Sequence, residues 1–89
     1  MRLVITVVGK DRIGIVSDIA TICKELGVNL VDITQKVFED MFAMVMLAQM
    51  TETSAEFEVI SKRLEEWGNE TGLKIHSMHE DIFNSMHRI

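Results

Sequence analysis

The stretch Val28-Asn29-Leu30-Val31-Asp32-Ile33-Thr34-Gln35-Lys36-Val37-Phe38, then Glu39-Asp40-Met41, then Phe42-Ala43-Met44-Val45-Met46-Leu47-Ala48-Gln49-Met50 decides the fold. Both long runs are rich in β-branched and other apolar residues, and three polar-flanked positions separate them. That is the pattern of two strands joined by a tight turn. The turn has no glycine, so its type is not set by composition. Side chains alternate across a strand. In the first run Val31, Ile33 and Val37 share one face. In the second, Phe42, Met44, Met46, Ala48 and Met50 share one face, and Ala43, Val45 and Leu47 the other. Asp32 and Gln35 are an odd number of residues apart, so they face opposite sides and one of them edges a cleft or an interface.

On either side of this hairpin lies a helix-like segment and then another strand. Upstream, Ile15, Ile19, Ile22 and Leu26 recur at helical spacing within residues 13–26, with Val16, Ala20 and Cys23 beside them. Asp11 is placed to cap this helix and Gly27 to end it. Before it, residues 2–8 read as a strand that Gly9 ends. Downstream, Thr53-Ser54-Ala55-Glu56 fits a capping box. A helix follows to about Thr71, with Phe57, Ile60, Leu64 and Trp67 on one stripe and Gly72 as its stop. Residues 73–79 form a last strand. The order β-α-β-β-α-β predicts an α+β, ferredoxin-like fold, with a four-stranded antiparallel sheet carrying two helices on one face. Several strands are apolar on both sides, so the second sheet face is expected to attract a partner. Residues 80–89 exceed this unit. Ile82, Phe83, Met86 and Ile89 lie at helical spacing, with acids first and His87-Arg88 last, which suits a short C-terminal helix.

Composition narrows the function. The chain has 89 residues, enough for one domain. Its 14 acidic and 9 basic residues give a net charge of −5, and no window is strongly basic, which argues against nucleic acid and against a membrane surface. The 47% apolar content is high for a chain this short and hints at a buried interface between copies. One cysteine, no CxxC pair and an apolar opening broken at once by Lys10, Asp11 and Arg12 give the expectation of a cytoplasmic protein.

The candidate site is Gly9-Lys10-Asp11-Arg12-Ile13-Gly14-Ile15-Val16, the join between first strand and first helix. A helix N-terminus offers free N–H groups and a positive dipole end to a carboxylate or phosphate. Arg12 can clamp a carboxylate, Gly14 leaves the backbone open to approach, and Asp11 either caps the helix or receives an ammonium group. The plain alternative is that Asp11 caps, Gly14 eases packing and Arg12 is solvated. Asn29 carries a donor and an acceptor, or simply opens its strand after Gly27-Val28. His76, His79 and His87 raise metal binding, but His79 belongs to the last strand and no HExxH is present, so no metal or other cofactor is implied. Cys23 falls on the apolar side of its helix and reads as packing.

Asp11-Arg12-x-Gly14-Ile15-Val16, Ile19-Ala20, Leu26, Asn29, Asp32 and Gln35 together resemble the ACT-domain pattern over residues 3 to about 79. The resemblance is to the variety in the glycine cleavage system transcriptional repressor and at the N-terminus of formyltetrahydrofolate deformylase. The tail from His79 to Ile89 resembles the ending of small stand-alone ACT proteins. Many ACT domains carry Pro before the loop glycine, where this chain has Ile13. The resemblance implies an ACT domain over residues 1–79 with 80–89 as its helical extension. It implies a non-catalytic regulatory homodimer that binds an amino acid or related small metabolite between domains, and it points to Asp11, Arg12, Ile13, Gly14 and Asn29. A module that only pairs, without ligand, is the alternative. An acylphosphatase-like enzyme shares the architecture, but beyond Arg12 the Gly-rich phosphate loop and paired Asn it needs are not evident.

Overall fold

The computed structural model describes residues 1–10 and 12–86. Its elements follow the order β1 (Arg2–Lys10), α1 (Ile15–Glu25), β2 (Asn29–Phe38), β3 (Met41–Gln49), α2 (Phe57–Thr71), β4 (Lys74–His79) and α3 (Glu80–Met86). The strands form one antiparallel sheet in the order β2-β3-β1-β4. The apolar stripes of α1 (Ile15, Ile19, Ile22) and α2 (Ile60, Leu64, Trp67) bury against Leu3, Ile5 and Val7 of β1 and against Phe42, Met44, Met46 and Ala48 of β3. All of these belong to one cluster, so both helices lie on one face. The expected ferredoxin-like arrangement is the one observed. No described helix is long and apolar enough to cross a membrane.

The helix ends obey local rules at one end and not at the other. Gly27 (φ 74) follows α1, its N–H donates to the Lys24 carbonyl and that of Val28 to Cys23. This is the Schellman pattern, which the left-handed glycine permits. Gly72 (φ 79) ends α2 in the same conformation. The starts are corrected. The N-cap of α1 is Gly14, with no side-chain cap, rather than Asp11, which lies outside the described residues. The N-cap of α2 is Glu56, so Thr53-Ser54-Ala55-Glu56 is not a capping box. Ser54 is otherwise engaged: its hydroxyl donates to the Gly27 carbonyl (2.7 Å) and accepts from the Thr51 N–H (2.8 Å). The Ala55 N–H donates to the Leu26 carbonyl. The loop before α2 is thus fastened to the end of α1. Ser54→Ala is expected to cost about 1 kcal/mol, read as a melting temperature lower by roughly 4–8 °C.

The strands differ from expectation in two places. Gly9 does not end β1, which pairs through Lys10 with Met41. A Cβ at Gly9 would lie 2.6 Å from the Leu73 side chain, so glycine there admits the neighbouring chain. In β2 the register shifts between Leu30 and Asp32, leaving Val31 as an extra, bulged residue. Leu30 pairs with Ala48 and Ile33 with Met46 on the helix side, whereas Asp32 pairs with Leu47 on the other side. Val31 therefore does not follow the alternation of Ile33 and Val37. The β2–β3 turn is the two residues Glu39-Asp40, because Phe38 already pairs with Met41. Glu39 takes φ 55, a left-handed value that a two-residue hairpin requires and that glycine usually supplies.

Candidate functional site

The topology sets which candidates can meet. β1 ends at Lys10, and α1 runs back down the sheet for 11 residues, about 16 Å. Only then does β2 start and climb back. Arg12 and Gly14 therefore sit beside the far end of β2, near Val37, and Asn29 sits at its near end.

Two open clefts reflect this. One, of about 400 Å³, is lined by Arg12 and Gly14 with Ile15, Val16 and Ser17 of α1, Gln35, Lys36 and Val37 of β2, and Phe42. The other, of about 410 Å³, is lined by Asn29 with Ala20, Lys24, Gly27, Val28 and Leu30. Within one chain the structure brings Arg12 and Gly14 together and leaves Asn29 apart from them. Ile13 is 98% exposed and lines neither. Gln35 is the member of the Asp32/Gln35 pair that edges the first cleft. Lys36 is an addition the sequence did not flag. Its position follows from the hairpin register, and its ammonium group lies 4.7 Å from the Phe38 ring.

The first cleft has the equipment for an anion. Gly14 takes φ 89 and supplies no side chain, so the N–H groups of the first turn of α1 receive no side-chain cap. The first helical bond is Asp18 N–H to the Gly14 carbonyl. A Cβ on Gly14 would touch nothing within 4 Å, so glycine is needed there for its backbone angle and the space in front of it is open. Arg12 is held from two sides. Its Nη2 lies 3.2 Å from the Asp18 carboxylate, and its guanidinium carbon lies 6.0 Å from the centre of the Trp67 ring. Both ion-pair partners are over two-fifths exposed. Such a pair is worth at most about 1 kcal/mol, so an incoming carboxylate can displace Asp18 at little cost. The cleft floor is apolar, made by Ile15, Val16, Val37 and Phe42.

Two other reactive groups, Cys23 and His79, are committed to packing, whereas His76 on β4 is exposed. Cys23 is buried, and desolvation pushes its thiol up to about 11, so it remains protonated and non-nucleophilic near neutrality. His79 closes β4 and stacks on Phe57, with centroids 4.7 Å apart. His87 lies outside the described residues. Among the described residues no group of three His, Cys, Asp or Glu is arranged for a metal.

Comparison with known proteins follows the same lines. The ACT-domain family model matches residues 1–78. A UPF0237 protein of Methanocaldococcus jannaschii is 41% identical over 88 residues, which cover 99% of this chain and 98% of that protein. An ACT domain protein from Streptococcus pneumoniae superposes with a TM-score of 0.81 at 35% identity, covering 93% of each chain. A putative glycine cleavage system transcriptional repressor gives a TM-score of 0.76 at 26% identity, covering 86% of this chain and 44% of that one. A formyltetrahydrofolate deformylase from Burkholderia mallei shares the fold (TM-score 0.78, 10% identity) over 88% of this chain and 28% of its own.

Proposed function

Starting from the fact that this chain belongs to the ACT-domain family, we propose that it is a non-catalytic regulatory module that pairs with a second copy and binds a small carboxylate-bearing metabolite, such as an amino acid, where the copies meet. The cleft at the start of α1 carries this reading. It combines a helix N-terminus without a side-chain cap, an exchangeable arginine and an apolar floor. Those are the features that hold a carboxylate and the carbon chain attached to it.

Pairing accounts for the separation of Asn29 from Arg12. β2 is an edge strand of ten residues, exposed almost throughout, with Val31, Ile33, Val37 and Phe38 uncovered. A long exposed apolar edge is a template for pairing. The other edge, β4, has six residues and carries Lys74 and His76. Two β2 strands run antiparallel about a two-fold axis set Asn29 of one copy against the Val37–Phe38 end of the other, beside its Arg12 and Gly14. Each site then draws on both chains, with Arg12 and Gly14 from one and Asn29 from its partner.

Isothermal titration with a panel of amino acids, including glycine and serine, tests this. Binding to at least one is expected, with Arg12→Ala weakening it at least about ten-fold, as loss of a charge-assisted hydrogen bond does. A folded, paired chain that binds none of them sinks the amino-acid reading. One observation favours a second reading, a module that pairs without ligand: Arg12 is already engaged by Asp18 and Trp67. In that case Arg12→Ala changes stability and no titration gives heat.

A further inference from the structure

The flank of α1 that overhangs β2 carries charge of one sign. At about 100° per residue, Ser17, Ala20 and Lys24 fall on one side of this helix. Ser17 borders the Arg12 cleft together with Gln35 and Val37, and Ala20 and Lys24 border the Asn29 cleft together with Leu30. That side therefore looks out over the edge strand. The two acids of the helix point elsewhere and are taken. Asp18 is held by Arg12 at 3.2 Å, and Glu25 by Arg63 of α2 at 3.8 Å. Lys24 is exposed and, among the described residues, has no carboxylate partner.

β2 adds no acid on this side. Ile33, Gln35 and Val37 pair with Met46, Met44 and Phe42, the buried set under the helices. Asp32 pairs with Leu47 on the opposite side, and its carboxylate accepts from the Ile33 N–H at 2.9 Å. Lys36 borders the Arg12 cleft, but it pairs with Ala43 on that opposite side and its ammonium group lies by the Phe38 ring. The cations left to the helix side of the two clefts are Arg12 and Lys24. Apart from the Asp18 that Arg12 already holds, no carboxylate of the described residues stands beside either.

Resting on the β2-to-β2 pairing and the carboxylate site proposed above, we infer that the shared cleft takes a small diacid, with one anionic group on Arg12 of one copy and the second on Lys24 of the other. Antiparallel pairing at an edge continues one sheet, so the helices of both copies stay on the same face. The two-fold axis that reverses β2 reverses α1 with it. The Lys24 end of one helix then lies opposite the Ser17 end of the other, beside its Arg12, and arrives with Asn29 of its own copy. Ala20, midway along the flank, is the small residue where the two helices pass. Two cations brought together with no free acid repel each other, and a ligand with two negative groups removes that repulsion. The second group is a carboxylate or a phosphate, and Ile15, Val16 and Val37 supply an apolar bed for the carbon chain between the two ends.

Isothermal titration of the full chain with near-isosteric pairs tests the diacid. Glutamate against glutamine and aspartate against asparagine probe a second carboxylate, and phosphoserine against serine probes a phosphate. In at least one pair the diacid is expected to bind at least about ten-fold tighter than its neutral counterpart, and the pair that responds identifies the second group. Lys24→Gln changes an exposed position. It is expected to remove the preference and leave binding of the neutral counterpart unchanged, whereas Arg12→Ala weakens both. Refolding Arg12→Ala and Lys24→Gln chains together tests whether the two cations come from different copies. Each mixed pair then holds one site lacking both groups and one site with both, so about a quarter of the wild-type tight sites return. Equal binding of acidic and neutral counterparts, or a preference that survives Lys24→Gln, overturns the diacid and leaves the amino-acid site standing. A mixture that regains no tight site overturns the clamp between copies. A paired chain that binds no member of any pair overturns the proposed site and the diacid together.

Discussion

Gly68→Ala is expected to destabilise the domain by about 1–3 kcal/mol, a fall in melting temperature on the order of 5–20 °C for a chain this size. Helix propensity alone says the opposite, since alanine in a helix interior is favoured over glycine by about 1 kcal/mol. The surroundings of α2 decide the sign. A Cβ at Gly68 would stand 2.8 Å from the Leu73 carbonyl oxygen and 3.2 Å from two carbons of the Ile75 side chain. The nearest obstacle is backbone, which cannot swing aside as a side-chain end can. That backbone is also fixed, because the Leu73 N–H donates to the Gly68 carbonyl at 2.9 Å. Relieving the clash means lifting the end of α2 off β4, at the cost of burial of Trp67, Leu73 and Ile75. Thermal or urea unfolding measures the effect. A variant as stable as the wild type would show that α2 and β4 can separate freely at this point.

Leu64→Ala is expected to cost more, about 2–5 kcal/mol. Leu64 is fully buried between the helices and the sheet. Its truncation removes apolar burial and leaves a cavity that neighbours on α1, α2 and β1 fill only in part. Domains are stable by about 0.05–0.15 kcal/mol per residue, so a chain of 89 residues holds roughly 4–13 kcal/mol in all. One such change removes a large share of that. The urea midpoint is expected to fall correspondingly with the slope unchanged. Ile33→Ala, on the β2 edge and 36% exposed, is the internal contrast, since it removes less buried area than Leu64→Ala and is expected to cost less.

Why Gly68 escapes a reading of sequence while Leu64 does not is physical. Leu64 belongs to a stripe with Ile60 and Trp67 that repeats at helical spacing, and periodicity of that kind reports burial directly. The same holds for Ile15, Ile19 and Ile22, and for alternation in β3, where Phe42, Met44, Met46 and Ala48 are the buried set. What a glycine excludes is set by a neighbour distant along the chain. Helix starts were legible only in outline for a related reason. Ser54 can cap its own helix or fasten to Gly27, and a tertiary contact takes it. Gly14 caps α1 by its backbone angle alone. The bulge at Val31 has no turn residue to mark it, so the parity assigned to Val31 was one residue out of phase. At the site, Arg12 and Gly14 were legible as neighbours on one loop, whereas strand parity gave only that Asp32 or Gln35 edges a cleft or an interface, and the hairpin register brings Gln35 to this one. Asn29 was grouped with them through family likeness, and the length of α1 separates them within a chain.

The pairing of the first strand with the last has a consequence in time. Leu3 pairs with His79 and Val8 with Lys74, so the β1–β4 ladder joins nearly the two ends of the chain. The β2–β3 ladder closes over a two-residue turn and needs almost no search. Closing the longest loop costs the most entropy before any contact rewards it, although the cost rises only slowly with length. Such non-local pairing is what slows folding at a given size. No half of this chain holds the inner strand β1 together with both of its neighbours, β3 and β4. A ribosome making it must release the residues of β4 before that strand can take its place, and until then one side of β1 lacks its neighbour.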